Sequence, residues 1–350
     1  MSVMDLTSQK PRALIGFDGY IDELQRVIRE RRNETECTYF EKISEFASRL
    51  AAAAGVSADM ETVTITRKLG GNGTILANAL SRLGIDTTCI GAMGYPEINS
   101  VFSEMPVNCH LYSVCDPAYT HAFEFDDGKL MFANVQPLAG LTWHRISEHM
   151  GMDILRKQFA ESDLIALVNW SGIPGTKGIW AGILQDILPY LSGEKRKFFF
   201  DIADPSKKPK EEILDILELI SDFSDYGEVI LGLNENEARQ LAAVISPQTQ
   251  TSIEEAGQKI FRFMRIQTLL IHPIDCCIAV SADGIYREQG TLVSHPVIST
   301  GGGDNFNAGF CYGWIQNMSL RESMQIGMRV SGWYVGHGYS PVWSEITDIN

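Results

Sequence analysis

A run of three glycines leads into an acidic residue late in the chain: Thr300, Gly301, Gly302, Gly303 and Asp304. Apolar residues at helical spacing follow, so we expect a helix to begin here, with Asp304 at its first position. Glycine amides and the helix dipole can hold a phosphate or an oxyanion. Asp304 could then accept a proton from an attacking hydroxyl. The alternative is an acidic helix start that the dipole alone favours.

A second glycine cluster, with Gly70, Gly71 and Asn72, precedes another predicted helix over residues 74–83, which Gly84 would cap. The two glycine turns lie far apart in sequence and both open helices. We expect them to form two poles of one cleft. An ordinary strand-to-helix turn would explain the second cluster equally well.

Four further polar residues follow predicted strands: Asn169, Asp201, Asn234 and Glu237. Side chains at the carboxyl ends of parallel strands face the ligand cleft of an α/β protein. Asn234 and Glu237 are three residues apart at a predicted helix start, so they could act together on one cation. The same spacing forms a capping box. Turn formation is the alternative explanation for Asn169 and Asp201.

Short apolar runs alternate with amphipathic segments along the chain. We predict buried strands at 13–15, 63–66, 164–168, 198–200, 229–231 and 268–271, and helices at 74–83, 183–191, 213–220, 253–264 and 306–314. Repeated strand–helix units predict an α/β fold with a mostly parallel sheet and helices on both sides. Because no linker or repeat is present, we expect residues 1–350 to form one domain.

One segment breaks this alternation. Residues 121–133 read as two alternating strands around a turn at Asp126, Asp127 and Gly128, which predicts a β-hairpin. Such a hairpin could be a lid over the cleft or an edge decoration. Its apolar alternation could also pair with a second copy, giving a homodimer.

Composition limits the partners. The chain has 350 residues, 45% hydrophobic and 21% charged, which indicates an ordinary globular protein. Its 29 basic and 44 acidic residues give a net charge of −15, which disfavours nucleic acid and anionic membranes. Seven cysteines without a C-x-x-C pair favour a reducing cytoplasm. We expect neither an export signal nor a membrane span, because no run of eighteen apolar residues occurs.

The two glycine motifs together resemble the ribokinase-like (phosphofructokinase B type) carbohydrate kinase family, over residues 13–340. The early motif continues to the sequence Ala-Leu-Ser-Arg-Leu-Gly at 79–84, and the late one to Phe310. The resemblance implies a three-layer α/β/α domain with a small β-lid, formed by segments near 23–66 and 109–135. It also implies transfer of a phosphoryl group from ATP or ADP to a hydroxyl of a sugar or sugar-like acceptor, with Mg²⁺.

The family's site residues can be matched one by one. Asp304 corresponds to the catalytic base. The anion hole corresponds to Gly301, Gly302 and Gly303, and nucleotide contacts correspond to Asn234, Thr300 and Gly303. Asn234 and Glu237 match the pair that organises Mg²⁺ through water. Acceptor contacts correspond to Gly70, Gly71, Asn72 and Asn169.

The family's sugar-contacting aspartate has two candidates here. The segment from Gly16 to Asp22 resembles the first strand and its aspartate, but it is one residue longer than usual, so Asp18 and Asp22 compete for the role. A carboxylate at a strand end can accept hydrogen bonds from two vicinal hydroxyls. One of the two aspartates could instead cap a helix that we expect to begin at Ile21.

The sequence departs from the family in three places. Ile75 replaces an acceptor-contacting asparagine. Ile298 and Ser299 replace an Asp-Thr pair tied to a monovalent cation, so we expect no strong potassium requirement. Residues 272–277 replace a glycine-containing phosphate loop, so we expect an unusual nucleotide pocket. We expect His272 and His337, which lack zinc-site spacing, to be ordinary side chains.

These departures leave alternatives to a sugar kinase that uses ATP. The acceptor could be a nucleoside. Residues 16–22 and 168–172 also resemble ADP-dependent sugar kinases of the same superfamily. A chain whose altered loop no longer binds a donor would be a non-catalytic sugar- or nucleotide-binding regulatory protein.

Overall fold

The computed structural model describes residues 10–193, 196–247, 252–290, 292–294 and 296–347. Residues 1–9, where we expect no export signal, lie outside the described residues. The strands are β1 Arg12–Gly16, β2 Tyr20–Arg31, β3 Cys37–Tyr39, β4 Thr62–Gly70, β5 Asp86–Gly91, β6 Cys109–Ser113, β7 Ala118–Phe125, β8 Gly128–Asn134, β9 Leu164–Val168, β10 Arg196–Asp201, β11 Gly227–Leu233, β12 Thr268–Ile271, β13 Cys276–Ser281 and β14 Gly284–Gln289.

A nine-stranded sheet runs through the middle of the described chain, in the order β14-β13-β12-β11-β10-β9-β1-β5-β6. The pairs from β6 to β12 are parallel, and only β13 and β14 are antiparallel. Strand β9 is buried along its whole length, which explains its continuous apolar run. The prediction of a mostly parallel sheet is confirmed.

Helices cover both faces of this sheet. The helices of the described chain are α1 Ile43–Ala52, α2 Asn72–Arg82, α3 Trp143–Met150, α4 Met152–Ala160, α5 Thr176–Gly182, α6 Lys210–Asp222, α7 Glu235–Ile245, α8 Ile253–Phe263, α9 Gly302–Ile315, α10 Leu320–His337 and α11 Trp343–Thr347, of which α2 to α10 pack on this sheet. One buried cluster joins α3 to α8 with the sheet, and another joins α2, α9 and α10 with its other face. Three layers result, as expected. Within the described ranges, every helix is too short or too polar to cross a bilayer.

The helix predicted at 183–191 is interrupted. Residues Ile183–Ile187 form a π-helical turn and Leu188–Tyr190 a 3₁₀ turn. Pro189 lies at this change, where a residue without an amide proton cannot continue an α-helix. The apolar face is nevertheless buried as expected, through Ile183, Ile187 and Leu188.

A second, five-stranded sheet has the order β3-β2-β7-β8, and its fifth strand, β4, also pairs with β2. The predicted hairpin is confirmed, because β7 and β8 pair antiparallel up to Phe125 and Gly128. The boundaries differ from the expected lid segments 23–66 and 109–135. This sheet already begins at Tyr20, whereas Cys109–Ser113 pairs with β5 in the large sheet.

Two local predictions in this region are wrong. A strand, not a helix, begins at Tyr20 and includes Ile21, because the chain pairs with both β4 and β7 over its first residues. The strand predicted at 63–66 forms, but its side chains are mostly exposed. It belongs to the small sheet, which helix α1 covers through Phe46.

Candidate active site

The late glycine turn caps helix α9. Gly301 is the N-cap residue and has a left-handed backbone with φ 92°, which glycine adopts without strain. The first bond of the helical ladder runs from Asn305 N to Gly301 O, at 3.0 Å. The amides of Gly303 and Asp304 precede that bond and remain available to an anion. Asp304 is therefore the third helical residue, two positions later than expected.

The early glycine turn contacts the late one directly. Asn72 is the first residue of α2, and its side-chain amide donates a 2.8 Å hydrogen bond to Oδ1 of Asp304. Asp304 is only 9% exposed. The expectation that the two glycine turns form poles of one cleft agrees with this contact, which joins residues separated by more than 200 positions in sequence.

Asp18 supports the early turn through hydrogen bonds. Its carboxylate is fully buried and accepts hydrogen bonds from Asn72 N at 2.9 Å, Gly73 N at 2.7 Å and Asn169 Nδ2 at 2.5 Å. Asn169, which has a left-handed backbone, also accepts from the amide of Gly172. Burial raises the pKa of Asp18 to about 6, against these hydrogen bonds, which lower it. The side chains of Asp18 and Asn169 are thus occupied with each other and with the turn.

Asp22 lies on the small sheet, beside the same turn. Its carboxylate lies so close to Gly70 that a Cβ there would come within 2.5 Å of both carboxylate oxygens. Lys68 is its cross-strand neighbour on β4. Burial raises the pKa of Asp22, while a hydrogen bond with Thr120 and the charge of Lys68 lower it. Of the two aspartates, Asp22 is the better placed to contact an acceptor above Gly70 and Gly71.

Four buried carboxyl groups converge on the cleft. Burial raises the pKa of Asp304 well above its usual range, and the charges of Asp201 and Asp18 raise it further. Asp201 accepts from Asn307 Nδ2 and from the amide of Ala203, both at 2.8 Å, yet burial raises its pKa too. Burial and the charge of Asp201 raise the pKa of Glu237 to about 8.

Asn234 and Glu237 form the capping box that the sequence allowed. Asn234 Oδ1 accepts from the amide of Glu237 at 2.9 Å, and Glu237 Oε2 accepts from the amide of Asn234 at 2.8 Å. In the described part of the chain, no group of three or more His, Cys, Asp or Glu side chains is arranged to hold a metal directly. Beyond burial, the charges of neighbouring carboxyl groups raise the pKa of Asp304 and Glu237, and such a cluster suits a divalent cation held through water and phosphate oxygens.

A cavity of about 430 Å³ opens on the other side of the late turn. Asn234, His272, Cys276, Gly302 and Gly303 are among its lining residues. It therefore lies where a nucleotide donor would reach the anion hole. Its wall includes the 272–277 segment that departs from the family pattern.

His272 is an integral part of this wall, although we expected an ordinary side chain. Its ring packs on Phe306, with centroids 4.8 Å apart, and its Cε1 would lie 3.2 Å from a Cβ on Gly303. Burial lowers the pKa of His272 to about 4, so the ring is neutral at pH 7. The unusual sequence of the loop was the only signal for this residue.

Sequence reasoning missed Ser331 and Tyr334, whose hydroxyl groups bond to the backbone of the late turn. Both lie on helix α10, which follows an ordinary amphipathic pattern. Nothing in the sequence distinguishes them from other polar residues of that helix.

Known proteins with this fold include ribokinases. The ribokinase from Thermotoga maritima has a TM-score of 0.65 and 14% identity, covering 97% of this chain and 98% of that one. A ribokinase from Arabidopsis thaliana, solved with ribose and ATP, has a TM-score of 0.64 and 14% identity, with the same coverage. At such identities these structures show the fold alone, and the predicted ribokinase-like α/β/α fold is confirmed.

Sequence relatives are more specific. A family model described as prokaryotic ketohexokinase matches residues 4–350. A ketohexokinase from Haloferax volcanii is 28% identical over 337 residues, which is 96% of this chain and 89% of that protein. These matches confirm the predicted carbohydrate kinase, a phosphotransferase that moves a phosphoryl group from a nucleotide to an alcohol group of a sugar. The chain belongs to the prokaryotic ketohexokinase family.

Proposed function

We propose that this kinase phosphorylates a ketohexose with ATP and that Asp304 is the catalytic base. The observation that carries the proposal is the 2.8 Å hydrogen bond between Asn72 and Asp304. It brings the acceptor turn and the anion turn to the same carboxylate. The ketohexose acceptor is suggested by the family and by the name of the Haloferax volcanii relative.

The acceptor would bind between the small sheet and the early turn. Asp22 would accept hydrogen bonds from sugar hydroxyls, and Gly70, Gly71 and Asn72 would line the same pocket. Glycine at position 70 keeps the backbone clear of the Asp22 carboxylate. Asp18 and Asn169 would act indirectly, by holding the turn.

Phosphoryl transfer then needs one proton acceptor and one anion site. Asp304 would take the proton from the attacking hydroxyl as the new P–O bond forms and the bond to the leaving phosphate of the nucleotide breaks. The amides of Gly301, Gly303 and Asp304 would hold the phosphoryl oxygens at the positive end of α9. The amide of Gly302 instead donates to Ser299 O at 3.1 Å, so it would shape the turn rather than bind the anion. Thr300 lies at the entrance to this turn.

The carboxyl cluster fits Mg²⁺. Asn234 and Glu237 would hold the ion through water, and the bound ion would neutralise charge on the phosphates. Glu237, whose pKa is about 8, would lose its proton when a cation binds nearby. A nucleotide alone would not offset the negative charge of the cluster.

The donor cavity distinguishes this chain from relatives with a glycine-containing phosphate loop. His272 presents a neutral ring beside Gly303, so it adds no charge to the phosphate site. The family supports ATP as the donor. ADP remains the alternative that the experiment separates.

The test is an acceptor and donor screen with the purified protein and Mg²⁺. Fructose and other ketohexoses would be compared with glucose, ribose and adenosine, each with ATP and with ADP. We expect turnover with a ketohexose and ATP. A preference for ribose or adenosine would overturn the acceptor assignment. Turnover with ADP alone would overturn the donor assignment. No turnover with any pair of donor and acceptor would overturn the proposed kinase activity.

We also propose a cytoplasmic enzyme that forms a homodimer through the small sheet. All seven cysteines are free, and six are buried, which suits a reducing compartment. The small sheet carries exposed apolar side chains at Ile65, Met131 and Phe132. Sedimentation analysis would check the dimer, and a monomer at micromolar concentration would contradict it.

A further inference from the structure

Two hydroxyl groups of helix α10 bond to the late glycine turn. Tyr334 Oη donates to the carbonyl of Thr300 at 2.9 Å, and Ser331 Oγ donates to the carbonyl of Gly302 at 2.9 Å. Residues three apart lie on the same face of a helix, so one face of α10 contacts both carbonyls. The turn is therefore bound at two positions, Thr300 and Gly302, by an element outside it.

These bonds orient the amides of the turn. In a planar trans peptide the N–H points away from the C=O of the preceding residue. Fixing the carbonyl of Thr300 fixes the N–H of Gly301, and fixing that of Gly302 directs the N–H of Gly303 away from α10. The turn also has hydrogen bonds of its own, from Gly302 N to Ser299 O and from Asn305 N and Nδ2 to Gly301 O, and the two hydroxyl groups of α10 add to them.

The surroundings of Tyr334 fit this role. The residue is 6% exposed, and its hydroxyl would lie 2.8 Å from a Cβ on Gly301, so it is packed directly against the turn. Burial and the nearby charges of Asp304 and Asp22 raise the pKa of the phenol, which keeps it protonated. The hydroxyl donates to the carbonyl of Thr300, and Asp304 accepts its own hydrogen bond from Asn72.

We propose that Tyr334 and Ser331 are positioning residues that preorganise the anion hole for phosphoryl transfer. The inference rests on the proposed function of the turn. Donors fixed in advance toward developing charge stabilise the transition state more than the bound ground state. Loss of either hydroxyl should therefore lower kcat while leaving the KM of the sugar nearly unchanged.

The experiment uses Tyr334→Phe, Ser331→Ala and the double variant of the full chain, at saturating nucleotide. Losing one oxyanion donor outright lowers kcat by roughly 10²–10³-fold. In each single variant the amide would be misaligned and not lost, so we expect a smaller fall in kcat of about 10-fold. The sugar KM should stay within about two-fold. Matched controls are Ser323→Ala, whose hydroxyl bonds to Ser319 O on the same helix, and Tyr312→Phe, whose ring stacks on Trp343.

A second readout does not require activity. Hydrogen exchange of the peptide covering residues 299–305 should be faster in Tyr334→Phe and Ser331→Ala than in wild type, and unchanged in both controls. The proposal would be overturned if kcat and hydrogen exchange were both unchanged in the variants. It would also be overturned if the whole loss of kcat/KM came from a rise in the KM of the sugar. If wild type itself transfers no phosphate, the proposed function fails, and exchange alone decides whether α10 holds the turn. If Tyr334→Phe does not fold, Ser331→Ala carries both measurements.

Discussion

Asp18 and Asp22 both contact glycines of the early turn, but their surroundings differ. Asp18 is fully buried and accepts from Asn72, Gly73 and Asn169. Asp22 lies against Gly70 on the small sheet. A carboxylate whose oxygens are already occupied supports the turn, whereas one beside the pocket can bind hydroxyls. These contacts favour Asp22 over Asp18 as the sugar-contacting aspartate, and the assignment stays a prediction.

The two aspartates should respond differently to substitution. Asp22→Asn should raise the KM of the sugar by about 10-fold or more, since a hydrogen bond to a charged group contributes about 1.5–3 kcal/mol, and leave the melting temperature unchanged. Asp18→Ala should lower the free energy of unfolding by about 1–3 kcal/mol, because buried amides lose their acceptor. Steady-state kinetics and chemical denaturation of both variants check this. A normal sugar KM in Asp22→Asn would return the sugar contact to Asp18.

Single residues were predictable from sequence where residue type alone limits the chemistry. Asp304 after three glycines and the pair Asn234 and Glu237 could be named as candidates, and their roles stay predictions. Tyr334 and Ser331 could not, because their contacts depend on how α10 packs against α9. Such a contact joins residues that no local pattern relates.

At the scale of elements, the site depends on the close approach of β2 to the end of β4. Gly70 pairs with Tyr20, and the Asp22 carboxylate lies over its Cα. A side chain at position 70 would displace that carboxylate. The proposed acceptor site lies at this crossing.

Gly70→Ala should therefore weaken sugar binding specifically. We expect a rise of about 10-fold or more in sugar KM, the effect of losing the Asp22 contact. Gly84→Ala is the matched control: its added Cβ meets nothing within 4 Å, although φ is 99°. It should cost about 1 kcal/mol of stability through backbone strain, with normal KM. Equal sugar KM values in the two variants would contradict this account.

Elements were predictable where one strong pattern dominated. The apolar runs of β9 and β10 identified buried strands because both faces are covered. Strand β2 was mistaken for a helix start, because its pairing with β4 and β7 is a tertiary property that no local pattern shows.

Across the whole molecule, four elements contribute carboxyl groups to one cleft. Asp18 follows β1, Asp201 ends β10, Glu237 lies in α7 and Asp304 in α9. Their folded-state pKa values are all raised, chiefly by burial. The protein thus concentrates negative charge where it would bind a cation, at a cost in stability without one.

This arrangement predicts how stability depends on pH. The folded pKa of Glu237 is about 8, above its ordinary 4.5, so the folded state holds more protons and the free energy of unfolding falls as pH rises from about 4.5 to 8. Without divalent cation, the melting temperature should fall between pH 5 and pH 8. Glu237→Gln should reduce that fall by roughly 2 °C or more. The exposed neighbour Glu235→Gln should not, and an equal fall in both variants would contradict the prediction.

The overall architecture could be predicted from repeated strand–helix units and the two glycine motifs. Those patterns reflect local burial and backbone needs, which the sequence records directly. The boundary of the small sheet could not, because Cys109–Ser113 joins the large sheet through its pairing with β5. The single-domain assignment for residues 1–350 stays a prediction.

The most direct test of the whole account is the turnover of Asp304→Asn with a ketohexose, ATP and Mg²⁺. General-base catalysis contributes roughly 10²–10⁴-fold, so we predict a fall of at least about 10² in kcat with a similar sugar KM. Asparagine keeps the size of the side chain and can still accept from Asn72, so the melting temperature should not fall. A kcat within a few-fold of wild type would show that another group takes the proton and would contradict the central role of Asp304.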